Sequence, residues 1–334
     1  MTIHPAPRDT KVVLCVQFHF SFWRIPPELP QAIRERWPQM RVVHLTSYDA
    51  LAAELPDADI FVGFTLQPDQ LAVAQKLKWI HVTAAGVSQL MRPDVRERNI
   101  TITNSRGIHA IPMAEHTLGL LISLARKFPA AHRFQAKQQW SQQEILDLGP
   151  TELRGATLLI VGFGAIGSEV ARLAKAFGMK VWAVTRTGRA DPLLAERVFP
   201  AADLDRALAD VDYVVLAAPE TPGTHHMIGE AQLDTMKRSS YLINVARGSL
   251  IDEAALIKAL QNKTIAGAAL DVAAVEPLPP EDPLWRQENL MITPHTSSVS
   301  NQLWPRQTKL LLGNLQRWFD GRELLNLVEL GRGY

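Results

Sequence analysis

The chain has 334 residues, 47% of them hydrophobic, which is enough for about two domains with buried cores. Its formal net charge is +1, from 35 basic and 34 acidic residues without long blocks of one sign, which argues against a nucleic-acid partner. The longest apolar stretches, at 118–125 and 156–166, are too short to span a bilayer, which takes about 20 residues. We therefore expect a globular protein that acts on small molecules.

Cysteine usage and the first residues bear on location. The single cysteine, Cys15, excludes an internal disulfide and a cysteine-based metal site. Residues 1–9 lack the basic and apolar segments of a secretory leader. No cluster of His, Cys, Asp and Glu has convincing metal-ligand spacing. We predict a cytoplasmic protein without a metal.

The first third of the chain alternates between strand-like and helix-like segments. Short apolar segments at 11–16, 41–45, 60–64 and 79–82 are separated by polar helical segments such as 30–37 and 70–77. Such alternation is typical of a parallel sheet covered by crossover helices. The aromatic stretch 18–23 is interpreted either as part of a substrate pocket or as ordinary core.

An apolar helix is predicted after Pro112, over 113–128, and His116 is expected to pack within it. Apolar residues occupy nearly every face, so we expect the helix to be buried all round. Two environments remain open. The helix lies in the core of one domain, or it forms a contact between domains or between subunits. A contact between subunits would make the protein an oligomer.

A second series of strands follows residue 155. Apolar segments occur at 157–161, 180–184, 213–217, 241–244, 265–270 and 290–292, and a final amphipathic helix is predicted over 302–320. Six strands with intervening helices predict a doubly wound α/β sheet. The fold class is therefore α/β, with two Rossmann-like parallel-sheet domains.

One glycine-rich turn carries a specific signal. Gly162, Gly164 and Gly167 form G-x-G-x-x-G directly after the strand 157–161 and before a helix predicted over 168–177. In this motif the first glycine permits a tight turn, the second lets the backbone approach a pyrophosphate, and the third lets the helix pack on the strand. The alternative is a glycine-rich turn without a ligand. The flanking strand and helix favour a dinucleotide site.

The end of the second strand of this series bears on which nicotinamide cofactor is used. About 20 residues after the glycines, NAD-binding sites carry an acid that bonds the ribose 2′-hydroxyl. Here the sequence offers Arg186, Thr187 and Arg189 and no carboxylate. Arginines neutralise a 2′-phosphate, so we predict NADP in preference to NAD. The alternative is that these are ordinary solvated charges.

Three polar residues follow three different strands of the second series. Arg247 comes after 241–244, Glu276 after 265–270, and His295 after 290–292. Ligands of doubly wound sheets bind beyond the carboxyl ends of strands. A cation to hold a carboxylate, an imidazole to protonate a carbonyl oxygen, and a carboxylate to orient the imidazole and favour its charged form suit the reduction of a 2-oxoacid. Taken singly, each residue also has a structural interpretation, as an ion pair, a solvated loop or a turn.

Together these motifs resemble the D-isomer-specific 2-hydroxyacid dehydrogenases. The resemblance is carried by 158–183, 217–224, 236–253, Leu270-Asp271-Val272, Glu276-Pro277-Leu278 and Thr293-Pro294-His295. It implies that Arg247, Glu276 and His295 are catalytic. It also implies a substrate domain at 1–104 and 297–334, a cofactor domain at 105–296 and an active site in the cleft between them.

The resemblance implies further contacts. Backbone N–H groups of Ala85 and Gly86 are expected to bind the substrate carboxylate, beside Arg247 and His295. Further cofactor contacts are assigned to residues of the same motifs, namely Ala165, Ile166, Ala218, Pro219, Thr224, Ala246 and Asp271. The apolar helix after Pro112 corresponds to the dimer-forming region of the family, so a homodimer is expected.

The arginines after the second strand resemble those of NADPH-preferring glyoxylate/hydroxypyruvate reductases. We therefore expect reduction of a small 2-oxoacid such as glyoxylate or hydroxypyruvate to a D-2-hydroxy acid. Two other hypotheses remain. A dinucleotide-sensing binding protein, like the corepressors that resemble this family, uses the same scaffold without turnover. An amino-acid dehydrogenase would share the nucleotide domain but needs a different set of polar residues.

Overall fold

The computed structural model describes residues 7–18 and 20–329, so residues 1–6, within the segment examined for a leader, and His19 of the aromatic stretch lie outside the description. The chain divides into two compact units. Unit 1 comprises residues 1–108 and 300–334, and unit 2 comprises residues 109–299. The assignment of these parts to substrate and cofactor, and the cleft expected from it, stay predictions.

The strands in chain order are β1 Lys11–Cys15, β2 Arg41–Leu45, β3 Ile60–Gly63, β4 Trp79–Val82, β5 Thr101–Asn104, β6 Thr157–Val161, β7 Lys180–Thr185, β8 Arg197–Pro200, β9 Tyr213–Leu216, β10 Tyr241–Asn244, β11 Gly267–Leu270 and β12 Leu290–Ile292. The α-helices are α1 Glu28–Arg36, α2 Leu51–Glu54, α3 Pro68–Val73, α4 Pro93–Arg96, α5 Ala110–Ala125, α6 Phe128–Ala136, α7 Gln142–Asp147, α8 Ala165–Ala176, α9 Leu204–Leu208, α10 Glu230–Thr235, α11 Glu253–Gln261 and α12 Leu303–Phe319.

Unit 1 contains a parallel sheet of five strands, within the described residues, in the order β2-β1-β3-β4-β5. This is a doubly wound order, with its switch point between β1 and β3. The sequence did not predict β5, because its Thr-Ile-Thr-Asn pattern is polar, yet Thr103 and Asn104 are buried. The final helix, α12, completes this unit by burying Leu311, Leu315 and Trp318 in its core.

Unit 2 contains a parallel sheet ordered β12-β11-β10-β9-β6-β7-β8. The order is that of a dinucleotide-binding sheet with one strand added at an edge, and the switch point lies between β6 and β9. The prediction of six strands was wrong by one among the described residues, because β8 is a short, partly exposed edge strand without an apolar run. The guanidinium of Arg197 stacks over Trp182, 4.2 Å from the ring centroid.

Helix α5 belongs to unit 2, where Leu118, Leu121 and Leu124 are buried in the core cluster that also contains residues of α8. Within the single chain, one face of this helix stays exposed, and its burial in a contact with a second subunit stays a prediction. Ile111, Glu115 and Gly119, which are spaced by four residues and share one face, are exposed. No helix in the part of the chain that the structure describes combines the length and apolarity needed to cross a bilayer.

Candidate active site

The glycine turn after β6 has the geometry that each glycine predicts. Gly162 has φ +96°, and a Cβ there would lie 2.4 Å from the backbone nitrogen of Ala218. A Cβ on Gly167 would lie 2.2 Å from the carbonyl oxygen of Gly162, so helix α8 packs directly on the turn. By contrast, a Cβ on Gly164 would meet nothing within 4 Å. Gly164 therefore leaves open space at the helix N-terminus, where a pyrophosphate would approach.

The ends of β7 and β9 flank this turn. The N–H of Gly162 donates to the carbonyl of Val184 near the end of β7, at 2.9 Å. Just beyond, Arg186, Thr187 and Arg189 are exposed. On the other side, Ala218 lies against Gly162. Residues predicted to hold different parts of a dinucleotide thus surround the switch point of the sheet.

The other predicted cofactor residues have varied surroundings. Ala165 and Ile166 form the first turn of α8, whose N–H groups lack intrahelical acceptors. The hydroxyl of Thr224 is used within its own turn, 2.8 Å from the carbonyl of Pro219. Ala246 and Asp271 are buried. Their contacts with a cofactor stay predictions.

His295 and Glu276 form a direct pair. The Nδ1 atom of His295 lies 2.6 Å from Oε2 of Glu276, and the two side chains are 47% and 37% exposed. An exposed pair of this kind adds at most about 1 kcal/mol to stability, so folding does not require it. Because the carboxylate engages Nδ1, the other ring nitrogen, Nε2, is left for chemistry.

Arg247 follows β10, the strand next to β11. The side chain of Asn244 braces the turn by accepting from the N–H of Ala246 at 3.0 Å and donating to the carbonyl of Arg247 at 2.7 Å. The Arg247 side chain is exposed, and its Nη1 donates to the carbonyl of Ala246. Since a guanidinium has five N–H donors, others remain for a ligand. Sequence analysis did not identify Asn244 as a residue that supports this turn.

The loop that carries Glu276 is held from two sides. A Cβ on Gly248, next to Arg247, would lie 2.0 Å from the backbone of Ala273, so the loops after β10 and β11 touch. The N–H of Ala273 donates to Glu276 Oε1 at 3.0 Å, and the N–H of Ala274 donates to Glu253 Oε1 at 2.7 Å. Burial raises the pKa of Glu253 above its usual value. The loop after β11 is thereby fixed beside the turn of Arg247.

In unit 1, the loop after β4 contains Ala85 and Gly86, which are both exposed. The carbonyl of Ala85 accepts from Asn104 Nδ2 at 2.7 Å, and the carbonyl of Thr83 accepts from Gln307 Nε2 at 2.6 Å. In a trans peptide the C=O and N–H point in opposite directions. Because the loop carbonyls are held inward, the N–H of Gly86 points outward, as the predicted anion contact requires.

A buried polar chain lies beneath this loop. The Ser105 hydroxyl lies 2.8 Å from Gln307 Oε1, and His81 Nδ1 lies 2.8 Å from the hydroxyl of Thr103. The Thr103 hydroxyl also accepts from Trp79 Nε1 at 2.9 Å. Burial lowers the pKa of His81 to about 4, so the ring is neutral at pH 7. Buried polar groups are stable only when they are hydrogen-bonded, so these hydrogen bonds hold the loop of Ala85 and Gly86 in place.

Comparisons with known proteins identify the family of this chain. The family model described as "D-isomer specific 2-hydroxyacid dehydrogenase, NAD binding domain" matches residues 118–297, which fall within unit 2. A glyoxylate reductase of Korarchaeum cryptofilum is 35% identical over 287 residues, covering 84% of this chain and 86% of that protein.

The chain belongs to the D-isomer-specific 2-hydroxyacid dehydrogenase family. A solved family member from Aeromonas salmonicida has 31% identity and a TM-score of 0.81, with 96% of this chain and 99% of that one covered. An NADPH-dependent glyoxylate/hydroxypyruvate reductase of Sinorhizobium meliloti, solved with NADP and sulfate, has 26% identity and a TM-score of 0.81, covering 97% and 100%. The family assignment makes the chain an oxidoreductase with an NAD-binding domain of the Rossmann type.

The glycine turn gives a matched pair of substitutions. Gly162→Ala forces an alanine to a positive φ and into backbone atoms, so we expect it to lower the free energy of unfolding by about 2–4 kcal/mol. Gly164→Ala meets open space, so its stability should change by no more than about 0.5 kcal/mol while dinucleotide affinity falls. Thermal unfolding and cofactor titration measure both effects. Equal destabilisation by the two variants would contradict the geometry.

Proposed function

We propose that this protein reduces a 2-oxoacid to a D-2-hydroxy acid with NADPH. The observation that carries the proposal is the hydrogen-bonded pair of His295 and Glu276. This pair stands at the same carboxyl edge of the unit 2 sheet as the loop of Arg247 and the glycine turn. The arrangement supplies an acid, a carboxylate-binding cation and a dinucleotide site on one sheet.

The residues at the switch point fit a dinucleotide. The open side of Gly164 and the N–H groups of Ala165 and Ile166 would take the pyrophosphate. Ala218 and Pro219, which follow β9 across from the turn, would line the next part of the site. When bound, NADPH supplies the hydride for the reduction. The remaining contacts proposed are those of Thr224, Ala246 and Asp271.

The choice of NADPH over NADH is proposed from the end of β7. Arg186 and Arg189 are exposed there, and the N–H of Arg189 donates to Oγ1 of Thr185 at 3.0 Å. A 2′-phosphate suits such a cationic, hydroxyl-bearing turn, whereas a carboxylate would repel it. The reductase of Sinorhizobium meliloti, which binds NADP, supports the same choice.

Arg247 is proposed to hold the carboxylate of the substrate. A guanidinium binds a carboxylate through two parallel N–H bonds, which fixes the direction of the neighbouring carbonyl. In unit 1, the N–H groups of Ala85 and Gly86 are proposed to contact a carboxylate too. These contacts would set how tightly the oxoacid binds.

His295 is proposed to give its Nε2 proton to the carbonyl oxygen as hydride adds to the carbonyl carbon. The C=O double bond is thereby reduced to C–H and O–H, and the imidazole is left neutral. Glu276 accepts from the Nδ1–H group, which orients the ring for the transfer. His295 then takes a new proton from solvent, to which the side chains of His295 and Glu276 are both exposed.

Small oxoacids are the proposed substrates. Relatives bearing the names glyoxylate reductase and glycerate dehydrogenase support glyoxylate and hydroxypyruvate as the first compounds to test. Steady-state oxidation of NADPH with a panel of 2-oxoacids tests the proposal. Cofactor binding without turnover on any of them would favour a sensing role instead.

A homodimer is proposed from the surface of unit 2. Phe128, Trp140, Leu146 and Leu148 are all exposed, and Trp140 is 96% exposed. These residues fall within one segment, 128–148, that includes α6 and α7. Several large apolar side chains exposed within one segment favour an interface between protein chains. A second copy of this chain is the proposed partner.

His295→Ala is expected to remove nearly all turnover, a fall in kcat of about 100- to 10,000-fold, because the proton donor is lost. Affinity for NADPH should survive, since the ring is not part of the glycine turn. Stopped-flow or steady-state kinetics and a fluorescence titration measure the two quantities. His44→Ala, at a histidine of the edge strand β2 in unit 1, is the control. Full activity of His295→Ala would refute the assigned acid.

Arg186→Asp is expected to shift preference from NADPH toward NADH, because the new carboxylate repels a 2′-phosphate and bonds a 2′-hydroxyl. The ratio of kcat/KM for the two cofactors should change by at least about tenfold, because a charge-assisted contact with the phosphate is replaced by a repulsive one. Arg172→Asp, on helix α8, is a control that should leave the ratio unchanged. An unaltered ratio in Arg186→Asp would remove the argument from β7.

Leu146→Glu is expected to weaken the dimer by putting a charge in an apolar contact. Leu193→Glu is the matched control, because Leu193 is an exposed apolar residue of unit 2 outside the 128–148 segment. Light scattering over a range of concentrations gives the mass. A wild-type mass of one chain at all concentrations would contradict the proposal.

A further inference from the structure

The carboxylate of Asp271, directly after β11, is buried and bonded to the turn that carries His295. Its Oδ1 atom accepts from the hydroxyl of Thr293 at 2.6 Å and from the N–H of Thr296 at 3.0 Å, and Oδ2 accepts from the N–H of Ser297 at 3.0 Å. Its backbone carbonyl accepts from the N–H of His295 at 2.8 Å. One residue thus holds the turn on both sides of His295.

The backbone of the turn at His295 needs the constraint that Asp271 provides. His295 has φ +52°, in the left-handed region that residues other than glycine rarely adopt. A residue in this region is strained and persists only where its surroundings impose the conformation. The four hydrogen bonds to Asp271 supply that constraint. The orientation of the His295 imidazole therefore depends on the hydrogen bonds between Asp271 and this turn.

Helix α5 contributes one more member to this network. Nε2 of His116 lies 3.0 Å from Oγ1 of Thr293 and 3.6 Å from Oδ1 of Asp271. Burial lowers the pKa of His116, and the negative charge of Asp271 opposes that shift. The side chain is 22% exposed, so the ring is partly open to solvent.

The proton positions follow from the partners. The Asp271 oxygen accepts from a backbone N–H, and the Thr293 hydroxyl has a single hydrogen, so at 2.6 Å that hydrogen goes to Asp271. The Thr293 oxygen is then the acceptor toward His116, whose Nε2–H donates to it. The result is a directed chain from His116 through Thr293 to Asp271, across α5 and the loops after β12 and β11.

We propose that Thr293 and His116 are positioning residues for the reaction, which set the direction of the His295 imidazole through the Asp271 carboxylate. This inference rests on the proposed function of His295 as the acid. Neither residue needs to contact the oxoacid. Their loss should therefore slow proton transfer and leave the binding of both substrates nearly unchanged.

Thr293→Val removes the hydroxyl and keeps the shape, and Thr293→Ser keeps the hydroxyl. We expect Thr293→Val to lower kcat about 10- to 100-fold, the cost of misplacing a reacting group by about 1 Å. KM for glyoxylate and the Kd for NADPH should stay within about twofold, and Thr293→Ser should recover most of kcat. Thr235→Val is the control, because that hydroxyl bonds a carbonyl of its own helix, at 2.9 Å.

His116 gives an independent pair. His116→Phe keeps the ring volume without the N–H, and His116→Gln returns an N–H donor. We expect Phe to lower kcat and Gln to recover part of it, again without a matching change in KM. This pair decides the question should Thr293→Val fail to fold.

The outcomes separate this inference from the proposed function. A wild-type protein that reduces no oxoacid, or a fully active His295→Ala, overturns the function itself. An active wild type with an inactive His295→Ala, but unchanged kcat in Thr293→Val and His116→Phe, overturns only the positioning role. A loss of kcat that Ser and Gln do not recover, or one matched by a rise in KM and Kd, also overturns it.

Discussion

Parallel strand pairing is the constraint on which the site of unit 2 depends. Strands β10, β11 and β12 run side by side in one direction, so the segments that follow them leave the sheet at the same edge. Arg247, Glu276 and His295 are far apart in sequence and reach this edge because of that pairing. The fine placement comes from close backbone approach, above all Gly248 against Ala273, where even a methyl group would not fit. The order of the strands thus determines which loops are adjacent, and the close backbone contact at Gly248 determines the distance between them.

Much of this could be predicted from sequence, since the signals are local. The three glycines have distinct tasks that follow from their spacing, and the structure gives each glycine its expected surroundings. The alternation of apolar strands and helices predicted both sheets. Strands β5 and β8 were not predicted from the sequence, because a strand with buried threonines, or a short strand at an edge, lacks the apolar run that identifies strands.

The supporting residues could not be predicted, because their partners are distant in the chain. His116 in an apolar helix has no local pattern that points to Thr293, which lies 177 positions later. Asn104 and Gln307 likewise meet the Ala85 loop only after the sheet and α12 have formed. Sequence analysis identified groups suited to chemistry, while the groups that hold them in place became visible only in three dimensions.

Unit 2 is one continuous stretch of chain, whereas unit 1 is assembled from two separated stretches. In unit 1, Trp318 of α12 stacks on Trp79 with ring centroids 5.5 Å apart, and Gln307 holds the carbonyl of Thr83. During synthesis on the ribosome, β1 to β5 emerge long before the helix that completes their core. The segment that is synthesised first therefore completes its fold last. An mRNA truncated before the α12 codons would yield a folded unit 2 attached to an incompletely folded unit 1.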